Sequence, residues 1–384
     1  MSVHRTAFCA AVLLSTALLS LPATATATPP ETTTSLAPID QAHTFAQIRQ
    51  GDNISTLLVL ALYQDKLSAI DLSAVSGLYS ADAFDVISRF DARALDALAL
   101  QARGLQHVPL KRLLGVGPRG LAHIAAGTNY PEHGKEAGIN EAFLFPKLSA
   151  ATGPRASVTA APGALLDYEV EVCARFDREL RSVADFEQAR KGLFLCGDFS
   201  DRATLVRNIK LQNIASGDGF ADAKSGADRF PTGPFLVVPR NWEAFLATVS
   251  IATHVNGQAR QFARAADMIK NLRTIVKETL DEAATRTWSF QGGRISMVAR
   301  PAIGTDSAVL TGTGEGVVFK EPGPEVIKAL MGARDRSAQL AVIERYLAGE
   351  ADKGIYLQPG NKVRHSSNVL GWIEATVVAP ARAR

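Results

Sequence analysis

Residues 164–173 read "ALLDYEVEVC" and set two glutamates, Glu169 and Glu171, one residue apart inside an apolar run. In a β-strand, residues i and i+2 point to the same side. The pattern therefore places two like charges side by side in a segment built for burial. Adjacent carboxylates repel, and one of them takes up a proton unless a cation holds both. A third acid, Asp198, ends the apolar run "GLFLCGD" at 192–198. Three carboxylates meeting at one point make a hard oxygen site suited to Mg²⁺, Mn²⁺ or Ca²⁺, with room left for water or substrate. The competing reading puts Glu169 and Glu171 on the wet face of an edge strand.

Glu169 and Glu171 come early in their strand and Asp198 late in its own, so neighbouring strands that share an ion must run antiparallel. Opposed residues in an antiparallel pair have a constant index sum. The register that sets Glu171 across from Asp198 also sets Cys173 across from Cys196. This predicts that the two cysteines are cross-strand neighbours and disulfide-bonded, the alternative being two separate buried thiols.

The chain has 384 residues, 47% of them hydrophobic and 21% charged, a globular composition sufficient for one large or two medium domains. Its 41 basic and 38 acidic residues nearly cancel, and no basic block indicates a nucleic acid partner. The start, "MSVHRTAFCAAVLLSTALLSLPATATATPP", has a short basic end, an apolar stretch and small residues in "ATATAT". This reads as a secretory signal over residues 1–27 and predicts a periplasmic or secreted protein. The apolar stretch is short of the roughly 20 residues a membrane span needs, and no later segment is long enough, so no membrane span is expected after cleavage. Cys173 and Cys196 remain, without zinc spacing.

"TPPETTTSLAP" (28–38) reads as a flexible leader to an N-terminal region that ends near residue 120. Within that region "STLLVLALYQDKLSAIDL" suggests two strands around a polar turn, and 80–104 has helical spacing. "GVGPRG" (115–120) fits the G-x-G-x-x-G string, but Pro118 has no N–H for a phosphate and no clear strand leads in. From 121 to 384 short β-like runs alternate with Gly and Pro, with a strong hairpin signal at Asn256-Gly257. Helical patterns interrupt at 183–192, 265–286 and about 325–350. Many β runs with few crossovers indicate an α+β fold with a mixed sheet folded on itself.

Several further residue groups accompany the acids. "GTNYPEHGKEAG" carries His133 with Glu136 three residues on, sharing a face if helical. "GDFSDR" carries Arg202, "DAKSGADRFPTGPF" carries Lys224, and "TGTGEG" carries Thr311, Thr313 and backbone amides fit to hold an anion. Together and in this order, these motifs resemble the fumarylacetoacetate hydrolase superfamily: G-x-N-Y-x-x-H-x-x-E, E-x-E, D-x-x-x-R, K-S before a G-P strand, N-G-x-x-R-Q and T-G-T-x-x-G. The resemblance covers roughly residues 120–378.

The resemblance implies a mixed β-roll with peripheral helices behind a small N-terminal α/β region, assembled as a homodimer. It implies that Glu169, Glu171 and Asp198 hold Mg²⁺ or Mn²⁺. His133, oriented by Glu136, would be a general base on water, kept basic by its carboxylate partner. Lys224 would meet the metal-bound oxygens, and Thr313 and Arg202 would bind substrate oxygens. The implied substrate is a small 2-oxo or diketo acid, cleaved at a C–C bond through a metal-bound enolate, as in acylpyruvates. Alternatives with the same metal site are a hydratase, isomerase or decarboxylase of 2-oxo (di)acids, and a different class is a non-catalytic exported binding protein. Three features depart from the family pattern: Gly197 before Asp198, the long connection 205–224, and the helical stretch after the glycine loop.

Overall fold

The computed structural model describes residues 33–139, 141–210 and 213–381; the predicted signal segment lies outside them. In chain order the main strands are β1 (Ala42–Gln50), β2 (Asn53–Leu62), β3 (Lys66–Asp71), β4 (Leu105–Pro109), β5 (Ala122–Gly127), β6 (Phe143–Leu148), β7 (Arg155–Thr159), β8 (Val170–Phe176), β9 (Lys191–Gly197), β10 (Leu236–Pro239), β11 (Ser250–Val255), β12 (Gln258–Arg264), β13 (Val309–Leu310), β14 (Lys362–Ser367) and β15 (Trp372–Val378). The main helices are α1 (Ala92–Gln101), α2 (Pro131–Ala137), α3 (Arg202–Asn208), α4 (Phe220–Lys224), α5 (Leu272–Glu282), α6 (Pro324–Met331) and α7 (Arg336–Asp352).

Ten strands form one sheet in the order β4-β3-β2-β1-β10-β9-β8-β13-β5-β6, antiparallel except where β13 lies parallel to β5. Five more form a second sheet, β12-β11-β14-β15-β7, which packs against β8 and β9. This is the expected α+β fold with a mixed sheet. The N-terminal strands continue the large sheet, because β1 pairs with β10 from Ala42↔Pro239 to Phe45↔Leu236. The leader is not free at its end: Ser35 N donates to Asn368 O at 2.7 Å.

Local chemistry accounts for the elements. β11 and β12 meet at Asn256-Gly257, both at positive φ (51° and 82°), the backbone a two-residue hairpin turn requires. Asp91, Asn271 and Asp335 cap α1, α5 and α7 by accepting a backbone N–H with their side chains. The 325–350 pattern resolves into two helices, with Pro324 opening α6. The "GVGPRG" glycines serve packing: a Cβ on Gly117 would sit 2.7 Å from Ala151 Cβ.

β8 and β9 are antiparallel neighbours, as expected, but the register differs from the expected one by two residues. Glu171 opposes Cys196, Cys173 opposes Phe194, and beyond the strand end Asp198 N donates to Glu169 O at 2.9 Å. Asp198 therefore stands across from Glu169 rather than Glu171. A shift of two keeps every side chain on its original face. The cysteines become diagonal neighbours, and they are still bonded, with Cα atoms 5.9 Å apart. Strand twist brings one of the two diagonals of an antiparallel pair within reach.

The bridge closes a loop with a sequence separation of 23 residues, which in the chain-entropy description stabilises the fold by about 3 kcal/mol. The double variant Cys173→Ala/Cys196→Ala should lose about that much in urea unfolding relative to the oxidised protein. Equal stability of the oxidised protein with and without reductant would show that the bridge contributes nothing.

Candidate active site and metal centre

The open end of the β8–β9 pair carries the acids, and the elements around it supply cations. β6 brings Lys147, the first turn of α3 brings Arg202, and the last residue of α4 is Lys224. All these side chains are buried, so each charge needs a partner. Lys224 Nζ donates to Glu169 Oε2 at 2.6 Å, Asp198 Oδ2 at 2.7 Å and Ser200 Oγ at 2.9 Å. Arg202 forks between Asp167 (Nε, 2.9 Å) and Glu169 Oε1 (Nη2, 2.6 Å). Lys147 Nζ donates to Asp198 Oδ1 at 2.7 Å and to the carbonyls of Lys224 and Arg229.

Glu171 is the exception. Its Oε2 accepts the Gly312 N–H at 2.6 Å, but it takes part in no ion pair among the described residues. Burial, then the charges of Asp198 and Glu169, hold its carboxyl well above the usual range. Glu169 behaves oppositely: burial would raise it, but Lys224 and Arg202 take it down to about 2. Lys224 is raised, since Asp198 and Glu169 outweigh its burial.

One oxygen from each of Glu169, Glu171 and Asp198 lies within 4.8 Å of the others. An ion bound at roughly 2.0–2.6 Å spans donors about 4–5 Å apart, so Mg²⁺ would need the three carboxylates to draw slightly together and a larger ion would not. The donor set is all hard oxygen, and it contains one carboxylate that no cation compensates. These residues fit a divalent ion such as Mg²⁺ or Mn²⁺.

His133 and Glu136 sit on one face of α2, with His133 Nδ1 3.2 Å from Glu136 Oε2. The expectation that Glu136 keeps the imidazole basic does not hold. Burial takes His133 down to about 4, helped by Arg202 and Lys224, against a pull upward from Glu169. Glu136 is shared: it also accepts the Gly316 N–H and pairs with Lys320. The imidazole is therefore neutral near pH 7, with Nδ1 held by Glu136 and Nε2 left as the free nitrogen.

His133, Glu169, Arg202, Lys224 and Thr313 line one cavity of about 310 Å³, with Glu171 and Asp198 behind that wall. The side chains expected to meet ligand oxygens are already engaged by the protein, Arg202 by Asp167 and Glu169. All three Lys224 donors are used by the protein. Thr313 Oγ1 donates to Val170 O and accepts from Gln261 Nε2, because Gln261 stitches the glycine loop to β8. The loop amides expected to hold an outside anion hold the protein's own carboxylates, Glu171 and Glu136.

Sequence reasoning missed Lys147 and Asp167. Asp167 had a readable signal, since 167, 169 and 171 alternate onto one strand face. Lys147 had a weaker one, a single charge in the apolar run "FLFPKL".

Glu171→Gln should raise the stability of the ion-free protein by about 1–3 kcal/mol, because an amide carries no charge to bury beside Asp198 and Glu169. It should also weaken the rise in unfolding temperature on adding Mn²⁺. Undiminished stabilisation by Mn²⁺ would remove Glu171 from the ligand set.

The family described as fumarylacetoacetate (FAA) hydrolase C-terminal matches residues 122–378. No curated protein matches the chain. Among solved structures, maleylpyruvate hydrolase from Sphingobium sp. SYK-6, in complex with manganese(II) ion and pyruvate, is similar at 18% identity and TM-score 0.54, over 88% of this chain and 100% of that one. Fumarylacetoacetate hydrolase from psychrophilic Exiguobacterium antarcticum is similar at 20% identity and TM-score 0.55, with the same coverage. The 2-hydroxyhepta-2,4-diene-1,7-dioate isomerase from Mycobacterium marinum follows at 17% and 0.53, again over 88% and 100%. At these identities the structures speak for the fold alone. With two thirds of its length matched by the family, and with that family's fold, the chain belongs to the fumarylacetoacetate hydrolase family.

Proposed function

We propose that the protein is a divalent-metal-dependent hydrolase cleaving a C–C bond in a 2-oxo or 1,3-dicarbonyl carboxylic acid of the acylpyruvate class. The observation that carries this reading is one cavity holding both a neutral, oriented imidazole and the edge of an acid cluster with an uncompensated carboxylate. Glu169, Glu171 and Asp198 would hold Mg²⁺ or Mn²⁺, which when bound supplies positive charge for the adjacent oxygens of a 2-oxo acid.

In the proposed reaction a water oxygen adds to the acyl carbonyl carbon. The bond from that carbon to the neighbouring methylene breaks, and its electron pair moves onto the 2-oxo group. A proton then returns to the methylene carbon, leaving pyruvate and a carboxylic acid. His133 Nε2 takes the water proton, with Glu136 on Nδ1 fixing the ring. Lys224 and Arg202 keep Glu169 ionised and so available as a ligand. Hydration, isomerisation and decarboxylation of 2-oxo acids share the same electron sink. The His133/Glu136 pair favours the two reactions that need an activated water, hydrolysis and hydration, over isomerisation and decarboxylation. We also infer export to the periplasm or beyond, a reading supported by the Cys173–Cys196 bond, since disulfides persist in oxidising compartments.

The test offers the purified protein, with Mg²⁺ or Mn²⁺, acylpyruvates, 2-oxo-4-enoates and oxaloacetate, following enol absorbance and product identity. Release of pyruvate and a carboxylic acid from an acylpyruvate is the expected result. His133→Ala should lower kcat about a hundredfold or more with little change in KM. Turnover of oxaloacetate or the enoate alone would reassign the reaction, and wild-type turnover by the variant would exclude His133 as the base.

A further inference from the structure

The site cavity is chemically lopsided. Its charged groups gather at the end formed by β8, α2, α3 and α4. From there it runs beneath α6 and α7, the helical pair that follows the glycine loop. The walls of this arm are aliphatic: Leu205 and Val206 from α3, Ile209 beyond it, Val326 and Leu330 from α6, and Ile343 from α7. Val206, Leu330 and Ile343 belong to a small core of their own with Leu347 and Tyr356, so the roof is packed onto α3. Arg207 Nε and Nη2 meet Glu344 at 2.7 and 2.9 Å, and Arg336 Nη2 donates to Arg207 O at 2.7 Å, which tie α7 to α3 at the surface.

The charged groups along the arm are Glu321 and Arg336, both exposed at its rim, and Arg336 already has a backbone partner. No buried cation faces the arm among the described residues beyond the cluster at its metal end. Gln339 and Tyr346 are the uncharged polar side chains of its lining near the roof, so a second carboxylate on a substrate tail would be desolvated along the aliphatic wall and meet a full charge only at the Arg336 rim. An alkyl tail would exchange water for aliphatic wall.

Resting on the hydrolase reading, we propose that the helical pair α6–α7 selects acylpyruvates whose acyl group is an uncharged apolar chain longer than acetyl. The pyruvyl end lies at the acid cluster and the chain runs along the Val206–Leu330–Ile343 wall. Burying each further methylene raises transition-state binding about two- to fourfold until the arm is filled.

The test measures kcat/KM for acetyl-, butyryl-, hexanoyl- and octanoylpyruvate and for succinylpyruvate, with Mn²⁺. In parallel, calorimetry measures the Mn²⁺-dependent affinity of pyruvate, 2-oxohexanoate, 2-oxooctanoate and 2-oxoadipate, which cannot be cleaved by this reaction. Both series should climb with chain length, and the compounds bearing a second carboxylate should fall below their alkyl counterparts. Ile327→Glu, at a partly exposed position of the roof, should compress the octanoyl-to-acetyl ratio about tenfold or more while folding normally by circular dichroism. If affinity climbs with length but no acylpyruvate is cleaved, the arm stands and the hydrolase reading fails. If acetylpyruvate is cleaved but neither series climbs, or if the second carboxylate helps, the arm assignment is overturned and the hydrolase reading stands. A flat affinity series with no cleavage overturns both.

Discussion

Everything near the site depends on how a cluster of buried charges is compensated. Asp167, Glu169, Glu171 and Asp198 face Lys147, Arg202 and Lys224, all removed from water. Such a cluster adds little net stability, because desolvation opposes the attraction, but deleting one partner typically costs about 3–5 kcal/mol. The cluster therefore specifies an arrangement more than it strengthens one. Its members come from β6, β8 and the segment leading into it (Asp167 and Glu169), α3, α4 and the residue after β9, and these cannot slide without stranding a charge. The imbalance is also specific: four carboxylates against three cations leave Glu171 as the position a divalent ion would complete.

The glycine loop serves the same arrangement from the other side. Gly312 has φ 92° and packs against Asn129, where an added Cβ would lie 2.8 Å from the Asn129 Cβ. That close approach lets its N–H reach Glu171, and four residues later Gly316 reaches Glu136. The loop thus links the acid cluster to Glu136, the hydrogen-bond partner of His133. Thr311 Oγ1 to Val172 O and Thr313 Oγ1 to Val170 O fasten it to β8. Its threonines are scaffold as the structure stands, which motif order alone does not reveal.

Much of this was legible in the chain. Period-two placement of Glu169 and Glu171, the Asn256-Gly257 hairpin and the helical spacing of 265–286 and 325–350 each follow from local rules; the structure carries the first two, narrows the third to a 3-10 turn and the helix Leu272–Glu282, and splits the fourth into α6 and α7. Facing was legible too, because a register shift of two leaves faces unchanged; the cysteines met for that reason. The register itself was not, since it depends on the Asp198 N–H finding Glu169 O just past the strand end. Lys147 escaped for a related reason. A lysine in an apolar strand shows its purpose only when the carboxylate from a distant strand is placed beside it. The lowered pKa of His133 was likewise invisible, because it reflects burial together with Arg202 and Lys224, which other elements bring to its side.

The helical roof α6–α7 is tied to the site through one of the cluster's own carboxylates. Asp167 stands at the joint. One of its oxygens takes the N–H of Val318 and the other takes that of Phe319, at 3.0 and 3.1 Å, and the second oxygen also pairs with Arg202. The chain that leaves the glycine loop is thereby fixed in direction before α6 begins, and Phe319 lies under the Arg202 guanidinium at 5.5 Å. The anchor is rigid because it belongs to the buried charge cluster, whereas the helices beyond it rest on α3 through a small aliphatic core. Residues in that core can change to suit a different tail while the cluster stays satisfied. The charge cluster and the helical roof are thus held by separate contacts that meet at Asp167.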